Sequence, residues 1–294
     1  MKAERRATLA GAVAVLAAAN VLNNRLAPRL APLTSAAATG VLLALARRSG
    51  LSWSELGFHR RSRGLRIGGA LASAVAAVYG AGIAIPATRR FFRDERALSL
   101  SRSRALEEAL LQVPIGTVLL EEVGFRGVLH ALLARSYGPR TAVAVSSALF
   151  GLWHVLPAID MTAANPALSG LVSVEKPGDG PRDDGGVPRG GGGGGPHGDR
   201  LHGGVPRGGG GGVPRGDGPP QDPPAGDSLW GMSRVVAGSV AATGLAGVFF
   251  CELRRRGGLA APALLHVATN SLGYLFARLA PADPTRPGDR RTAA

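Results

Sequence analysis

Residues 109–133 of the chain read ALLQVPIGTVLLEEVGFRGVLHALL, an apolar run with Glu121, Glu122 and Arg126 in its middle. A helix of about 20 mainly apolar residues spans the hydrocarbon core of a bilayer, so this run is long enough to cross a membrane. A charged side chain inside the hydrocarbon costs about 2.5–3.5 kcal/mol on insertion scales, and such residues therefore face a protein interior and usually serve function. The stretch predicts a membrane helix that carries a polar site.

Further apolar blocks accompany this one along the chain. They cover residues 7–22, 31–46, 65–87, 139–157, 229–251 and 258–279. We therefore predict an all-α, polytopic bundle of about seven transmembrane helices, a multi-pass protein of the cell membrane. The first block follows Lys2, Arg5 and Arg6 and could be a cleaved signal peptide. Because the second block follows it after a short turn, we favour a retained anchor that forms a helical hairpin.

Residues 170–228 have a different composition. They hold 22 of the 44 glycines and 10 of the 21 prolines, and they repeat Gly-Val-Pro-Arg-Gly three times. Such a segment buries too little apolar area to offset an ordering cost of roughly 1–2 kcal/mol per residue, so we expect a disordered insertion. The predicted organisation is an N-terminal hairpin with a basic amphipathic segment (1–64), a membrane core with two motifs (65–169), the insertion (170–228), a membrane core with a third motif (229–280) and a polar tail (281–294).

The formal net charge of +14 does not indicate a nucleic-acid partner. The arginines cluster between the apolar blocks, as at 47–48, 60–63 and 254–256, where we expect them to contact lipid head groups. We therefore expect a lipid bilayer and no nucleic acid. Residues 51–58, beside one of these clusters, have apolar residues near helical spacing, which fits either a surface-lying amphipathic segment or an ordinary basic loop.

Helical geometry separates the roles of the charged residues in 109–133. Glu122 and Arg126 are four residues apart, share one face and can neutralise each other. Glu121 is rotated by about 100° from Glu122, so it does not share that face and stays available for chemistry. We also expect Gly124, one turn on, to leave room for a substrate backbone.

Two other blocks carry polar residues in apolar surroundings. Residues 150–154 end in His154, and His266 and Asn270 are four residues apart on one stripe of the last block. Taken alone, His154 could be a packing histidine and Asn270 could bond a neighbouring helix. Together, the three blocks supply a base, two imidazoles and an amide, which water-mediated amide hydrolysis needs.

The order of these residues resembles the three motifs of the CPBP intramembrane proteases, the family of the CAAX prenyl endopeptidase and of bacterial bacteriocin-processing and self-immunity (Abi) proteins. The resemblance covers about residues 105–280 once the insertion is set aside. It implies that Glu121 is the general base that activates a water, helped by His154. It implies that His266 and Asn270 steady the oxyanion, and that Glu122 and Arg126 form a supporting ion pair.

The resemblance leaves the cofactor open, since members are often called metalloproteases. Glu121, His154 and His266 could supply three ligands to a divalent metal such as zinc, with an open fourth position. A metal-free mechanism uses the same atoms, and we favour this metal-independent alternative.

We therefore expect an endopeptidase that cuts a peptide or protein substrate, possibly membrane-associated, at or near the bilayer. Two alternatives stand beside it: a non-catalytic membrane chaperone or self-immunity factor of the same fold, and a small transporter with a proton-relaying Glu and His. The chain is rich in arginine and holds only Lys2 and Lys176, which is typical of a GC-rich bacterial gene. For that reason we do not expect prenylated CAAX substrates.

Overall fold

The computed structural model describes residues 2–89, 92, 95–164 and 225–279. These residues form helices joined by short turns, with no strand among them, so the all-α prediction is confirmed. The long helices are α1 (Lys2–Val21), α2 (Ala31–Arg48), α3 (Arg61–Ala84), α4 (102–137), α5 (Pro139–Trp153), α6 (Val155–Ala164), α7 (Ala225–Gly257) and α8 (Ala260–Leu279). Shorter helical pieces in the connections are Leu22–Leu26, Pro28–Leu30, Pro86–Arg89 and Glu95–Ser99.

Five helical segments among the described residues are long and apolar enough to cross a membrane, one of them made of α5 and the start of α6. They are Glu4–Leu26, Pro28–Arg48, Arg61–Ala84, Pro139–Asp160 and Gly231–Gly257. The remaining two predicted blocks form α4 and α8, which carry the first and third motifs and whose polar side chains lower their apolar character. That these two helices also cross the membrane stays a prediction.

The predicted insertion at 170–228 lies outside the described residues, except for its last four residues. Those residues belong to α7, which begins at Ala225 and so starts before the predicted boundary at 229. The predicted polar tail at 281–294 also lies outside the described residues.

The helix that carries the first motif, α4, is not wound uniformly. It runs as Arg102–Glu107, Glu108–Val118, Leu119–Glu121, Glu122–Leu129 and His130–Tyr137, of which the second and fourth pieces are π-helical. Pro114 lies in the first π-helical piece, where it lacks the N–H that an α-helix needs in its interior. π-Helical turns are rare in proteins, and those that occur often lie at functional sites.

Helix α4 lies at the centre of the bundle and contacts α1, α2, α5, α7 and α8. Its buried side chains pack with those of the N-terminal hairpin α1–α2 into one apolar core that includes Leu16, Leu42, Leu120, Val128 and Leu129. On the opposite side α8 packs along α3, and α7 packs along α5. The bundle thus surrounds α4 with helices from both halves of the sequence.

Small residues allow the closest helix contacts. A methyl group added at Gly64 of α3 would overlap the carbonyl oxygen of Gly257, and one added at Gly151 of α5 would lie 2.6 Å from the carbonyl oxygen of Val240 in α7. Such close approach of backbones is the usual way in which helices pack in membranes.

The loop between α2 and α3 is a series of turns at residues 53–57, not a helix. Leu51 and Leu56 are buried, whereas Trp53 and Phe58 are exposed and pack edge to face with ring centroids 5.4 Å apart. The loop is tied to the bundle by Arg135, whose Nη2 lies 2.6 Å from Oε1 of Glu55, and by the N–H of Leu259, which donates to the carbonyl of Gly57. The segment 51–58 thus buries two of its apolar residues and exposes two others, and it is built of turns and not of a helix.

Candidate active site

The three charged residues of the first motif are buried in the centre of the bundle. Glu121, Glu122 and Arg126 are 3%, 2% and 1% exposed. Glu121 ends the short α-helical piece of α4, and Glu122 begins the second π-helical piece. Buried charges are stable only when they are paired and hydrogen-bonded, so their partners define the site.

Glu121 has one oxygen held and one oxygen free. The indole Nε1 of Trp153, at the end of α5, donates a hydrogen bond of 2.8 Å to Oε1 of Glu121. The other oxygen, Oε2, has no hydrogen-bond partner among the described residues. It lies 3.6 Å from Nε2 of His266, which is too long for a hydrogen bond.

Glu122 also contacts His266, through the other ring nitrogen. His266 Nδ1 lies 2.8 Å from Glu122 Oε1 and donates to it. A single imidazole therefore reaches both carboxylates, although the two glutamates point in different directions around α4.

The predicted ion pair between Glu122 and Arg126 is present, but it is loose. Arg126 Nη1 lies 3.4 Å from Glu122 Oε1, and neither Nη1 nor Nη2 has a hydrogen-bond partner among the described residues. The guanidinium instead stacks on aromatic rings, with its central carbon 3.7 Å from the centroid of Phe150 and 4.9 Å from that of Phe250. A desolvated cation over an aromatic face is worth about 2 kcal/mol, which partly offsets its burial.

His154 lies at a break between two helices. The predicted block at 139–157 is not one continuous helix: α5 ends at Trp153 and α6 begins at Val155. His154 Nδ1 lies 2.8 Å from the carbonyl oxygen of Phe150, and it must donate because a carbonyl only accepts. In the neutral ring Nε2 is then a proton acceptor.

The second and third motifs line one cavity of about 710 Å³, which lies between α3, α4, α5, α6, α7 and α8. Its wall includes His154, His266 and Asn270 together with Phe150 and Thr243. Glu121 is not part of this wall, but it contacts His266, which is. The structure thus brings Glu121, Glu122, Arg126 and His266 into one cluster and places His154 and Asn270 on the cavity beside it.

Asn270 is the most open of the predicted residues. It is exposed, and its Oδ1 accepts a long hydrogen bond of 3.5 Å from Thr269 Oγ1. Its amide group is not bound to the glutamates. Asn270 follows His266 by four residues on α8, so both side chains reach the same cavity, as their spacing predicts.

The proposed metal ligands do not form a ligand set. Within the described ranges no group of three or more His, Cys, Asp and Glu side chains is close enough to hold a metal ion. Of the three residues, only Glu121 and His266 approach each other, and His154 uses Nδ1 on a backbone carbonyl. The arrangement of the side chains does not fit a zinc site with three protein ligands.

Two residues have roles that the sequence does not reveal directly. Trp153 precedes His154 and donates a hydrogen bond to Glu121. The sequence hints at this role only because an indole N–H in an apolar block needs a hydrogen-bond acceptor. The position of Gly124 predicts room for a substrate backbone, but Gly124 does not line the active-site cavity. A methyl group added there would lie 2.8 Å from Cδ2 of Leu16, so this glycine makes room for α1.

Ionisable groups buried between membrane helices and beside a cavity are typical of intramembrane hydrolases and proton-coupled proteins. Comparison with known families agrees with the first of these classes. The chain belongs to the type II CAAX prenyl endopeptidase Rce1-like family, whose model matches residues 108–272 and so spans all three motifs. No curated protein and no solved structure matches the chain significantly.

Membership in this family confirms the resemblance to the CPBP and CAAX proteases. It implies a protease of the CAAX-endopeptidase type that acts on a peptide or protein. The apolar helices and the family together define a membrane protein.

Proposed function

We propose that the protein is an intramembrane endopeptidase of the cell membrane in which Glu121 activates the attacking water. The observation that carries the proposal is the state of the Glu121 carboxylate. Trp153 fixes one of its oxygens at 2.8 Å, while the other has no hydrogen-bond partner and lies 3.6 Å from an imidazole on the cavity wall. A general base needs this combination of fixed orientation and a free lone pair.

The proposed mechanism uses His266 with a proton on each ring nitrogen. His266 then donates from Nδ1 to Glu122 Oε1, 2.8 Å away, and offers an Nε2–H to the substrate. Glu122 thereby fixes the orientation of the ring, as a carboxylate does for the histidine of a serine protease triad.

In the proposed reaction, water from the cavity reaches Glu121 Oε2, which is buried beside His266 and is not part of the cavity wall. Glu121 Oε2 takes a proton from the water, and the water oxygen forms a bond to the carbonyl carbon of the substrate. The electron pair of the C=O bond moves to the oxygen, which accepts hydrogen bonds from His266 Nε2–H and from the Asn270 side-chain amide. When the C–N bond breaks, the proton held by Glu121 passes to the leaving amine, so that a carboxylic acid and an amine are released.

In this proposal His154 orients the attacking water. Its Nδ1–H is committed to the Phe150 carbonyl, so Nε2 of the neutral ring accepts a hydrogen bond from the water and orients it. No step passes through a metal ion, because the described side chains do not assemble a ligand set.

The test compares peptides that are released from membranes. Membranes that contain the wild-type protein are expected to release products that are absent with Glu121→Gln, while both proteins accumulate equally in the membrane. The matched control is Glu108→Gln, because Glu108 is on the same helix and pairs with Arg104 at 2.8 Å outside the site. Equal products from wild type and Glu121→Gln would overturn the proposal.

A defined probe addresses the substrate class. Liposomes with the purified protein receive a farnesylated peptide ending in a CAAX sequence and the same peptide without the lipid. Cleavage of both peptides at similar rates is expected if the enzyme reads a peptide near the bilayer. Cleavage of the farnesylated peptide alone would show that the lipid is part of the recognised substrate and would contradict the expectation from composition.

A further inference from the structure

A second cavity, of about 320 Å³, lies at the start of α8 and beside α4. Its walls are mainly apolar and include Phe58, Ile115, Val118, Leu119, Val123 and Val267. The polar residues in the lining are His59 and Arg61, from the segment that leads into α3, and Glu122, from α4. It shares none of its lining with the active-site cavity.

The side of this cavity formed by residues 59–61 is basic. Arg61 lines the cavity, is exposed and has no ion-pair partner in the part of the chain that the structure describes. Arg63 and Arg66 are also exposed, but they line a separate depression on α3. Arg61 also begins one of the helices that are long enough to cross a membrane. The basic edge therefore lies where the chain enters the bilayer, at the level of the lipid head groups.

The apolar walls exclude a peptide as the natural occupant. Backbone N–H and C=O groups of a peptide need hydrogen-bond partners when they leave water. Among the lining side chains, Glu122 Oε1 accepts from His266, and Glu122 Oε2 has no partner among the described residues but as a carboxylate oxygen can only accept. The remaining polar groups, His59 and Arg61, are at the basic edge, so the C=O groups of a peptide would find no donor along the apolar walls. A hydrocarbon chain with an anionic end matches both the walls and the edge.

We infer that this second cavity binds an anionic phospholipid, with one acyl chain between α4 and α8 and the phosphate beside Arg61. Basic pockets between membrane helices are known to bind anionic head groups, and the cavity volume is within the range of ligand sites. Arg61 supplies one unpaired positive charge, which matches an anionic phosphate better than a zwitterionic head group.

The lipid would touch a residue that also acts on the active site. Glu122 lines the second cavity, and its Oε1 accepts the 2.8 Å hydrogen bond from Nδ1 of His266. His266 in turn lines the active-site cavity. An acyl chain that fills the space beside Glu122 limits the movement of its side chain and so keeps His266 in place. This second part of the inference, that the lipid supports catalysis, rests on the proposed peptidase function.

Lipid binding is tested without any use of activity. The purified, delipidated protein is exposed to equal amounts of phosphatidylglycerol and phosphatidylcholine, and the retained lipids are counted by native mass spectrometry. We expect selective retention of phosphatidylglycerol by the wild type. An arginine near an anionic surface contributes a factor of about five, so Arg61→Gln should lower this retention about fivefold.

Two further variants separate the cavity from general effects. Ala263→Phe places a ring in the cavity, because Ala263 lines it, and should reduce retention of phosphatidylglycerol. The controls are Arg140→Gln and Ala241→Phe, which change an exposed arginine and an exposed alanine away from this cavity. Equal retention of the two lipids by the wild type, or unchanged retention in both Arg61→Gln and Ala263→Phe, would overturn the inference.

The two proposals fail in different ways. Glu121→Gln should bind phosphatidylglycerol as the wild type does, even though it releases no peptide. If the wild type cleaves peptides equally well in pure phosphatidylcholine, then the coupling through Glu122 is wrong while the peptidase stands. If a farnesylated peptide displaces phosphatidylglycerol, the cavity belongs to a lipidated substrate and the phospholipid assignment is wrong.

Discussion

Trp153 Nε1 and Glu121 Oε1 are joined by a hydrogen bond of 2.8 Å between two helices, α5 and α4. The bond brings Trp153, which precedes His154, into direct contact with Glu121, the proposed base. Both partners are buried, so water does not compete for the bond. Trp153 is therefore a positioning residue for Glu121, and the ring nitrogen is the part of the side chain that matters.

Trp153→Phe is expected to lower kcat about 10- to 100-fold with little change in KM. A hydrogen bond to a charged group is worth about 1.5–3 kcal/mol, and phenylalanine keeps the aromatic contact with Phe125 but lacks the N–H. The measurement is the kinetics of peptide cleavage in liposomes, with Tm as a control for folding. An unchanged kcat at an unchanged Tm would show that Glu121 needs no such partner.

Arg126→Met is expected to destabilise the protein by about 3–5 kcal/mol, because it removes a buried cation from beside Glu122. In Glu122→Gln/Arg126→Met, both of these charges are absent. This double variant should therefore lose less than the sum of the two single variants. Thermal unfolding in detergent measures all four proteins. Losses that simply add would show that Phe150 and Phe250, and not Glu122, account for the cost of changing Arg126.

Gly64→Ala should destabilise the contact between α3 and the turn before α8, by about 1–3 kcal/mol, because its methyl group would overlap the carbonyl of Gly257. Gly69→Ala is the matched control on the same helix, since nothing lies within 4 Å of a methyl group there. Thermal unfolding of the two variants should differ clearly. Similar Tm values would mean that α3 can shift away from Gly257 without loss.

Glu55 should give the protein a pH-dependent contribution to stability. Hydrogen bonds from the N–H and hydroxyl of Ser52, and then the neighbouring Arg135, lower the pKa of Glu55 from 4.5 to about 2. A carboxyl with a lowered pKa in the folded state stabilises the fold above the unfolded pKa, and this stabilisation is lost as the pH falls through the folded pKa. The side chain is 42% exposed, so we expect less than about 1 kcal/mol.

The corresponding comparison is between wild type and Glu55→Gln. The wild type should be more stable at neutral pH, and the difference should shrink between pH 4.5 and about 2. Tm measured across this range tests the prediction. A difference that stays constant with pH would mean that the glutamine loses packing or hydrogen bonds, and that the charge contributes nothing.

The sequence predicts much of the bundle because apolar blocks and helical spacing are local properties. The helical class follows from the blocks, and the shared cavity of His266 and Asn270 follows from their four-residue spacing. The sequence does not fix the role of Gly124, because a glycine inside an apolar helix fits either a substrate or a neighbouring helix. Only the packing of Leu16 against it decides between them.

Contacts between distant segments could not be predicted in the same way. The sequence shows Trp153 and His266 only as members of two separate apolar blocks. Their hydrogen bonds to Glu121 and Glu122 depend on how α5 and α8 pack against α4. The break at His154 is not predicted either, because residues 139–157 are apolar enough to suggest one helix.

The winding of α4 has a consequence for how its motif tolerates change. The short α-helical piece Leu119–Glu121 lies between two π-helical pieces, Glu108–Val118 and Glu122–Leu129. The direction in which each carboxylate points around α4 therefore depends on the wider turns of these π-helical pieces. Shortening the chain by one residue near Pro114 would rewind that piece and swing the downstream glutamates away from the indole and the imidazole. The length of this segment, as much as the identity of its acidic residues, sets where the two carboxylates point.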